Sequence, residues 1–309
     1  MPVRIVTDST ADISPEIAKE LGITIVPEYI LFGGKTYRDG IDMGYDELYD
    51  KLLNEPKLPT TSQPTPVDFA KTFKELSKDA DEIICINLAG KLSGTYASAL
   101  QGKKLADVKS NITVIDSESI SMGLGMITMS AAKMAANNET PDVIVDEIRK
   151  EIKNVHLFAT FDTLKYLALG GRIGKARALI GSILNVKPII TQRDSEFAPV
   201  GNVRTRSKAI DKLFELVNNY ANIQEIAVVY STIPEEANRL KDRFSPLVSA
   251  RHLHLARLGP ALGTHGGPGT LVAVVRNTGS EDKQPQPSSQ SLLKKPSLHL
   301  PKIKLPSRR

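Results

Sequence analysis

Short β-branched runs alternate with amphipathic stretches through the first half of the chain, and that rhythm confines it to a strand–helix fold with a parallel sheet. Residues 4–7 (Arg-Ile-Val-Thr) read as a strand. Residues 14–21 read as a helix, with Ser14 as its cap and Pro15 at the first helical position. Residues 23–32 form a second apolar strand region that ends at the turn signal Gly33-Gly34-Lys35. Helices follow at 46–53 and at 68–77, the latter with Phe69, Phe73 and Leu76 at helical spacing. Residues 82–88 are a buried strand, 96–105 a helix, 111–115 a strand and 123–136 a helix dense in Ala and Met.

The second half is mixed. Residues 163–170 and 173–184 look helical and 188–190 extended, and 196–200 is expected to pair with 202–206 as a hairpin across Gly201. A helix at 208–219, a strand at 225–231, a helix at 234–243 opening on Glu235 and Glu236, and a strand at 271–275 complete the pattern. The fold class is α/β in two domains: an N-terminal parallel-sheet domain at 1–160 and a C-terminal mixed domain at 161–276. Beyond Asn277 the periodicity stops, and the Pro/Ser/Lys-rich segment 277–309 is expected to be a disordered basic tail.

That tail explains the charge. It carries seven basic residues (Lys283, Lys294, Lys295, Lys302, Lys304, Arg308, Arg309) against Glu281 and Asp282, a surplus equal to the whole net charge of +5. The body is therefore formally neutral and gives no ground for nucleic-acid binding. Aromatic residues at 5%, with no Trp, argue equally against stacking on single strands. The tail is a candidate for transient contact with anionic membrane lipid, against the plainer reading of a solvated extension. Cys85, the one cysteine, lies in an apolar run and reads as a buried hydrophobe. No apolar stretch approaches the roughly 20 residues needed to cross a bilayer, and no signal-peptide pattern opens the chain, so a soluble cytoplasmic protein is expected.

Three strands end in small hydroxyl or acidic residues: Thr7-Asp8-Ser9-Thr10, the turn to Ser93-Gly94-Thr95, and Asp116-Ser117. In an open parallel sheet these ends share one edge, where ligands bind. A hydroxyl at a helix start suits an anion, and Gly94 permits close approach to the backbone. Taken alone, Ser93 and Thr95 are as well explained as helix caps. A nucleophile elbow fails because Lys91 and Thr95 stand where glycines are needed. A P-loop fails because Tyr29 stands in place of its first glycine, and no dinucleotide fingerprint occurs. His265 is the most informative histidine: it stands in the Gly-rich run 263–269, expected to be a loop, and can donate to a carboxylate or phosphate. No metal-ligand spacing surrounds it. Arg172 and Arg204 are further cation candidates.

In order and spacing, Asp8-Ser9-Thr10-Ala11-Asp12, Tyr37-Arg38-Asp39-Gly40, Thr61-Ser62-Gln63-Pro64, Leu92-Ser93-Gly94-Thr95-Tyr96, Gly170-Gly171-Arg172-Ile173, Val203-Arg204-Thr205 and Gly263-Thr264-His265-Gly266-Gly267-Pro268-Gly269 resemble the DegV family. The resemblance runs from residue 3 to about 276. It implies a bacterial two-domain protein that holds a fatty acid in an apolar tunnel between its domains. Carried over, the carboxylate-binding residues are Thr61, Ser93 and His265, with Ser62, Gly94, Arg172 and Arg204 as secondary head-group or partner contacts. The implied ligand is about C16–C18, each buried methylene being worth about 0.8 kcal/mol.

Such proteins resemble the lipid-presenting subunit of bacterial fatty acid kinase. The implied partner is a separate ATP-dependent kinase subunit, and no cofactor or catalytic residue is expected in this chain. Ala89-Gly90, Tyr230-Ser231 and Gly266 depart from the family's usual Ser-Ser, His and Thr. The competing reading is a Ser-dependent hydrolase using Ser93 and His265; a sugar- or phosphate-binding module is a third. The Met-rich stretch 122–134 is read as core packing before tunnel lining.

Overall fold

The computed structural model describes residues 3–180 and 186–279. Its strands are β1 (Val3–Asp8), β2 (Ile23–Val26), β3 (Tyr29–Phe32), β4 (Lys35–Arg38), β5 (Thr60–Ser62), β6 (Glu82–Asn87), β7 (Asn111–Asp116), β8 (Val155–Thr160), β9 (Lys187–Arg193), β10 (Glu196–Val203), β11 (Ile223–Tyr230), β12 (Leu253–Arg257) and β13 (Leu271–Asn277). Its helices are α1 (Pro15–Glu20), α2 (Tyr45–Asn54), α3 (Pro66–Leu76), α4 (Thr95–Ala106), α5 (Met122–Ala136), α6 (Pro141–Ile152), α7 (Lys165–Leu169), α8 (Arg206–Asn218), α9 (Pro234–Phe244) and α10 (Pro260–Gly266).

The strands form three sheets. A parallel sheet runs β2-β1-β6-β7, and a small antiparallel sheet runs β4-β3-β5. The largest sheet, β10-β9-β8-β13-β11-β12, is antiparallel except for the β11/β12 pair. The apolar region 23–32 is thus two strands in different sheets, because Pro27-Glu28 interrupts it. The helix starts follow local chemistry. Ser14 accepts the Ile17 N–H before Pro15, and Thr65 and Asp68 form a reciprocal capping box before Pro66.

Helix α5 is the hub. It is buried on every side from Met122 to Met129, and it packs into one core shared by the parallel sheet and one face of the large sheet. Met122, Met126 and Met129 belong to that core and none lines the cavity described below. Glycine makes the close packing possible: a methyl group at Gly125 would meet the Ala11 carbonyl at 2.5 Å. The opposite face of the large sheet is covered by α8 and α9, and α2 packs on the small sheet.

Two expectations need correction. The hairpin does not turn at Gly201. Residues 196–203 are one strand paired with β9, and the turn falls at Asp194-Ser195, both with positive φ, while Gly201 marks a register shift inside β10. Within 173–184, residues 174–179 form a 3-10 helix, Ile180 is already extended, and 181–185 lie outside the described residues. The tail beyond Gly279 also lies outside them. Among the described residues no helix is long and apolar enough to cross a membrane.

Candidate functional site

Thr61, Ser93 and His265 line one cavity, together with Arg172. Thr61 is the middle residue of β5, in register with Ile30 of β3. Ser93 ends the turn after β6, one residue before the cap of α4. His265 sits in the last turn of α10, which overturns the loop expectation. The glycines of 263–269 are there largely for packing. A methyl group at Gly263 would meet Leu48 and Tyr49 of α2 at 2.7 Å, and one at Gly267 would meet the Tyr166 ring at 2.1 Å.

The cavity encloses about 780 Å³ of atom-free space, a figure that includes the open solvent at its mouth. Its walls are mainly apolar. Leu88 and Ile120 come from the N-terminal half, Leu157, Ala159 and Val272 from the large sheet, and Phe161, Leu167 and Phe197 from around it. Thr10, Glu28, Ser121 and Thr270 add polar lining.

Thr61 Oγ1 and His265 Nε2 are 2.8 Å apart. Ser93 Oγ lies 2.9 Å from Thr95 Oγ1, which lies 2.5 Å from Glu28 Oε1. Burial, and secondarily the nearby Arg172 guanidinium, lowers the His265 pKa to about 4, so the imidazole is neutral near pH 7. Its Nδ1 is buried without a hydrogen-bond partner among the described residues. Arg172 itself is exposed and donates to the carbonyls of Gly170 at 2.6 Å and Leu92 at 3.4 Å.

The start of α10 is held by two buried acids. Asp12 accepts the Gly259 N–H at 2.8 Å and Asp39 accepts the Ala261 N–H at 3.1 Å. Ser121 donates to Asp12 at 2.5 Å and Ser9 to Asp39 at 2.7 Å. Burial drives the Asp12 carboxyl up to about 8 and Asp39 up to about 6, with Asp8 raising both further. This cluster ties the β1 end and the β4 end to the helix that carries His265.

The remaining sequence candidates stand apart from the cavity lining. Ser62 Oγ donates to the Gln63 carbonyl at 3.4 Å, and Gly94 faces the Gln63 side chain. Arg204 lies in a separate cleft with Lys187, Arg206 and Asp162. Glu28 escaped the sequence reading although its signal was there, as a lone acid inside an apolar strand region. Hydrolase geometry finds no support: among the described residues no hydrogen bond joins Ser93 to His265, and no carboxylate bonds the ring to orient it. Among the described residues no group of three or more His, Cys, Asp or Glu could hold a metal ion.

The family described as "Uncharacterised protein, DegV family" matches residues 2–277. The chain belongs to the DegV family. Among DegV relatives, a DegV domain-containing protein of Caldanaerobacter subterraneus subsp. tengcongensis is 37% identical over 270 residues, 86% of this chain and 95% of the relative. Protein DegV of Bacillus subtilis is 33% identical over 277 residues, 88% of this chain and 98% of the relative. The fold is that of solved DegV structures. A fatty-acid-binding DegV protein of Thermus thermophilus matches with a TM-score of 0.82 at 29% identity, covering 90% of this chain and all of that one (100%). The B. subtilis DegV structure, a fatty acid binding protein, gives 0.80 at 31% identity, covering 90% of this chain and 99% of that one. A stearic acid-binding protein of Eubacterium ventriosum gives 0.81 at 27%, covering 89% and 98%.

Proposed function

We propose that this DegV protein is a non-catalytic cytoplasmic lipid carrier that holds a long-chain fatty acid in the cavity between its two domains, 1–160 and 161–276. The carboxylate rests on Thr61, Ser93 and His265, and is presented to a separate ATP-dependent fatty acid kinase subunit. Arg172 stands at the head-group end, and Ser62, Gly94 and Arg204 serve as secondary contacts to the head group or the partner. The observation that carries this reading is the convergence of the three residues on one apolar-walled cavity, with Thr61 and His265 at 2.8 Å.

The physics agrees. Burying an acyl chain of about sixteen carbons at about 0.8 kcal/mol per methylene yields around 12 kcal/mol before ordering costs, so the tail supplies most of the affinity. A buried carboxylate needs donors, and the Ser93 hydroxyl with the hydrogen-bonded Thr61–His265 pair provides them without a tight ion pair. The carboxylate oxygens then stay open to phosphoryl transfer. The fatty-acid-binding DegV structures of T. thermophilus and B. subtilis support the ligand class.

The test is a titration of delipidated protein with palmitate, with a sugar phosphate as the comparison ligand. Palmitate is expected to bind alone, and acyl phosphate to form only when a kinase subunit and ATP are added. Displacement of the lipid by the sugar phosphate, or turnover of acyl esters lost in Ser93→Ala, would overturn the reading.

A further inference from the structure

The polar end of the cavity contains an acid that the carboxylate-binding trio leaves unused. Glu28, between β2 and β3, is 4% exposed and lines the cavity. Its Oε1 is 2.5 Å from the buried Thr95 Oγ1, which is 2.9 Å from Ser93 Oγ. Each hydroxyl carries one proton, so the direction of one bond in this chain fixes the next. With Glu28 ionised, Thr95 donates to Glu28, Ser93 donates to Thr95, and Ser93 turns a lone pair toward the cavity. With a proton on Glu28 Oε1, Glu28 donates to Thr95, Thr95 donates to Ser93, and the Ser93 proton is free for an anion. The Thr95 backbone N–H, 3.4 Å from Ser93 Oγ, also donates to that oxygen and is compatible with either arrangement.

We infer that Glu28 is a positioning residue for the head group: in its acid form it aims the Ser93 hydroxyl proton, through Thr95, at the ligand carboxylate. This rests on the fatty-acid reading above and deepens it. The groups around Glu28 favour the acid form. Burial, first, and then Asp8 at the end of β1 and Asp39 after β4 raise its pKa well above the ordinary carboxyl range, against the Thr95 hydrogen bond and Arg172 after α7, which lower it. Asp12, raised to about 8 by burial, and His265, lowered to about 4, lie in the same region but are not members of the hydrogen-bonded chain.

The experiment is a palmitate titration of the full chain from about pH 6 up to the most alkaline pH at which circular dichroism shows it folded. Wild-type affinity falls about tenfold as Glu28 ionises and Ser93 loses its donor role. Glu28→Gln, whose amide N–H donates to Thr95 at every pH, binds about tenfold more tightly than wild type at the alkaline end and has a flatter profile. Asp12 and Asp39 titrate in both proteins and His265 stays neutral in both, so the difference between profiles belongs to position 28. In a Ser93→Ala background, Glu28→Gln makes no difference. Should Glu28→Gln fail to fold by circular dichroism, Thr95→Val cuts the same relay and must also flatten the profile. Coincident profiles, or a Glu28 effect that survives Ser93→Ala, overturn the relay. Failure of palmitate to bind any of these proteins at any pH overturns the fatty-acid reading and the relay with it, whereas binding with coincident profiles removes only the role of Glu28.

Discussion

The ring of His265 lies against the α-carbon of Gly170: a methyl group built there would sit 2.2 Å from Nδ1 and 2.8 Å from Cε1. Gly170 has ordinary helical φ and ψ, so space alone demands glycine. Gly170→Ala therefore drives the imidazole away from Thr61, and palmitate affinity should drop about tenfold with a stability loss of about 1–3 kcal/mol. Gly171→Ala is the comparison. That residue has φ of 72° and open space around it, so the change costs about 1 kcal/mol of backbone strain and spares the ring. Calorimetric titration and thermal melts of the two variants separate the effects.

Loss of one donor from the carboxylate should weaken binding without emptying the cavity. Thr61→Val and Ser93→Ala are each expected to raise the palmitate Kd about tenfold, because one charge-assisted hydrogen bond is worth about 1.5–3 kcal/mol while the acyl chain stays buried. A loss of binding altogether in either variant would mean that the head group, not the tail, supplies most of the affinity.

Stability should depend on pH through Asp12. Its folded pKa is raised from the ordinary 3.8 to about 8, so between those values the folded protein keeps a proton that the unfolded chain has released. That contribution is complete below pH 3.8 and is lost as pH rises through about 8. Asp39 acts in the same direction over the narrower interval up to about 6. Asp12→Asn mimics the protonated acid at both of its contacts, Ser121 and Gly259. Thermal melts from pH 5 to pH 8 should slope downward in wild type, by up to about 1.4 kcal/mol per pH unit for one proton, and less steeply in the variant.

Cavity length should set chain preference. Ala159 is 2% exposed and lines the cavity from β8. Ala159→Leu places three further carbons in that space, and competition between acids of different length should shift toward shorter chains. An unchanged preference would mean that the acyl chain runs elsewhere.

Much of the parallel sheet was legible because its strands carry local signals. Residues 4–7, 82–88 and 111–115 are β-branched runs, and Ser14-Pro15 announces its helix. The failures have physical causes. α6 and β8 went unread, although Thr140-Pro141 marks a helix start and Leu157 and Ala159 alternate with His156 and Phe158. The β9–β10 turn was missed because Asp194 and Ser195 supply positive φ without glycine, while Gly201 offered a false turn. Gly263 in α10 and Gly267 just after it, glycines that imitate a loop, admit Leu48 and Tyr49, and Tyr166, a need that only the tertiary structure reveals. Thr61 and His265 are 204 residues apart in sequence, and no local pattern states that they touch. The motif order that resembles DegV groups them, whereas Glu28 lies outside those motifs, and a lone acid in an apolar strand region does not say which hydroxyl it faces.

An alkyl chain inside the protein can be weighed. Purified protein, washed free of loosely held lipid, is extracted with organic solvent and the extract is quantified by mass spectrometry against protein concentration. About one long-chain fatty acid per chain is expected, with less retained by Thr61→Ala and Ser93→Ala. An extract free of fatty acid, from protein that also takes up none when it is offered, would contradict the account.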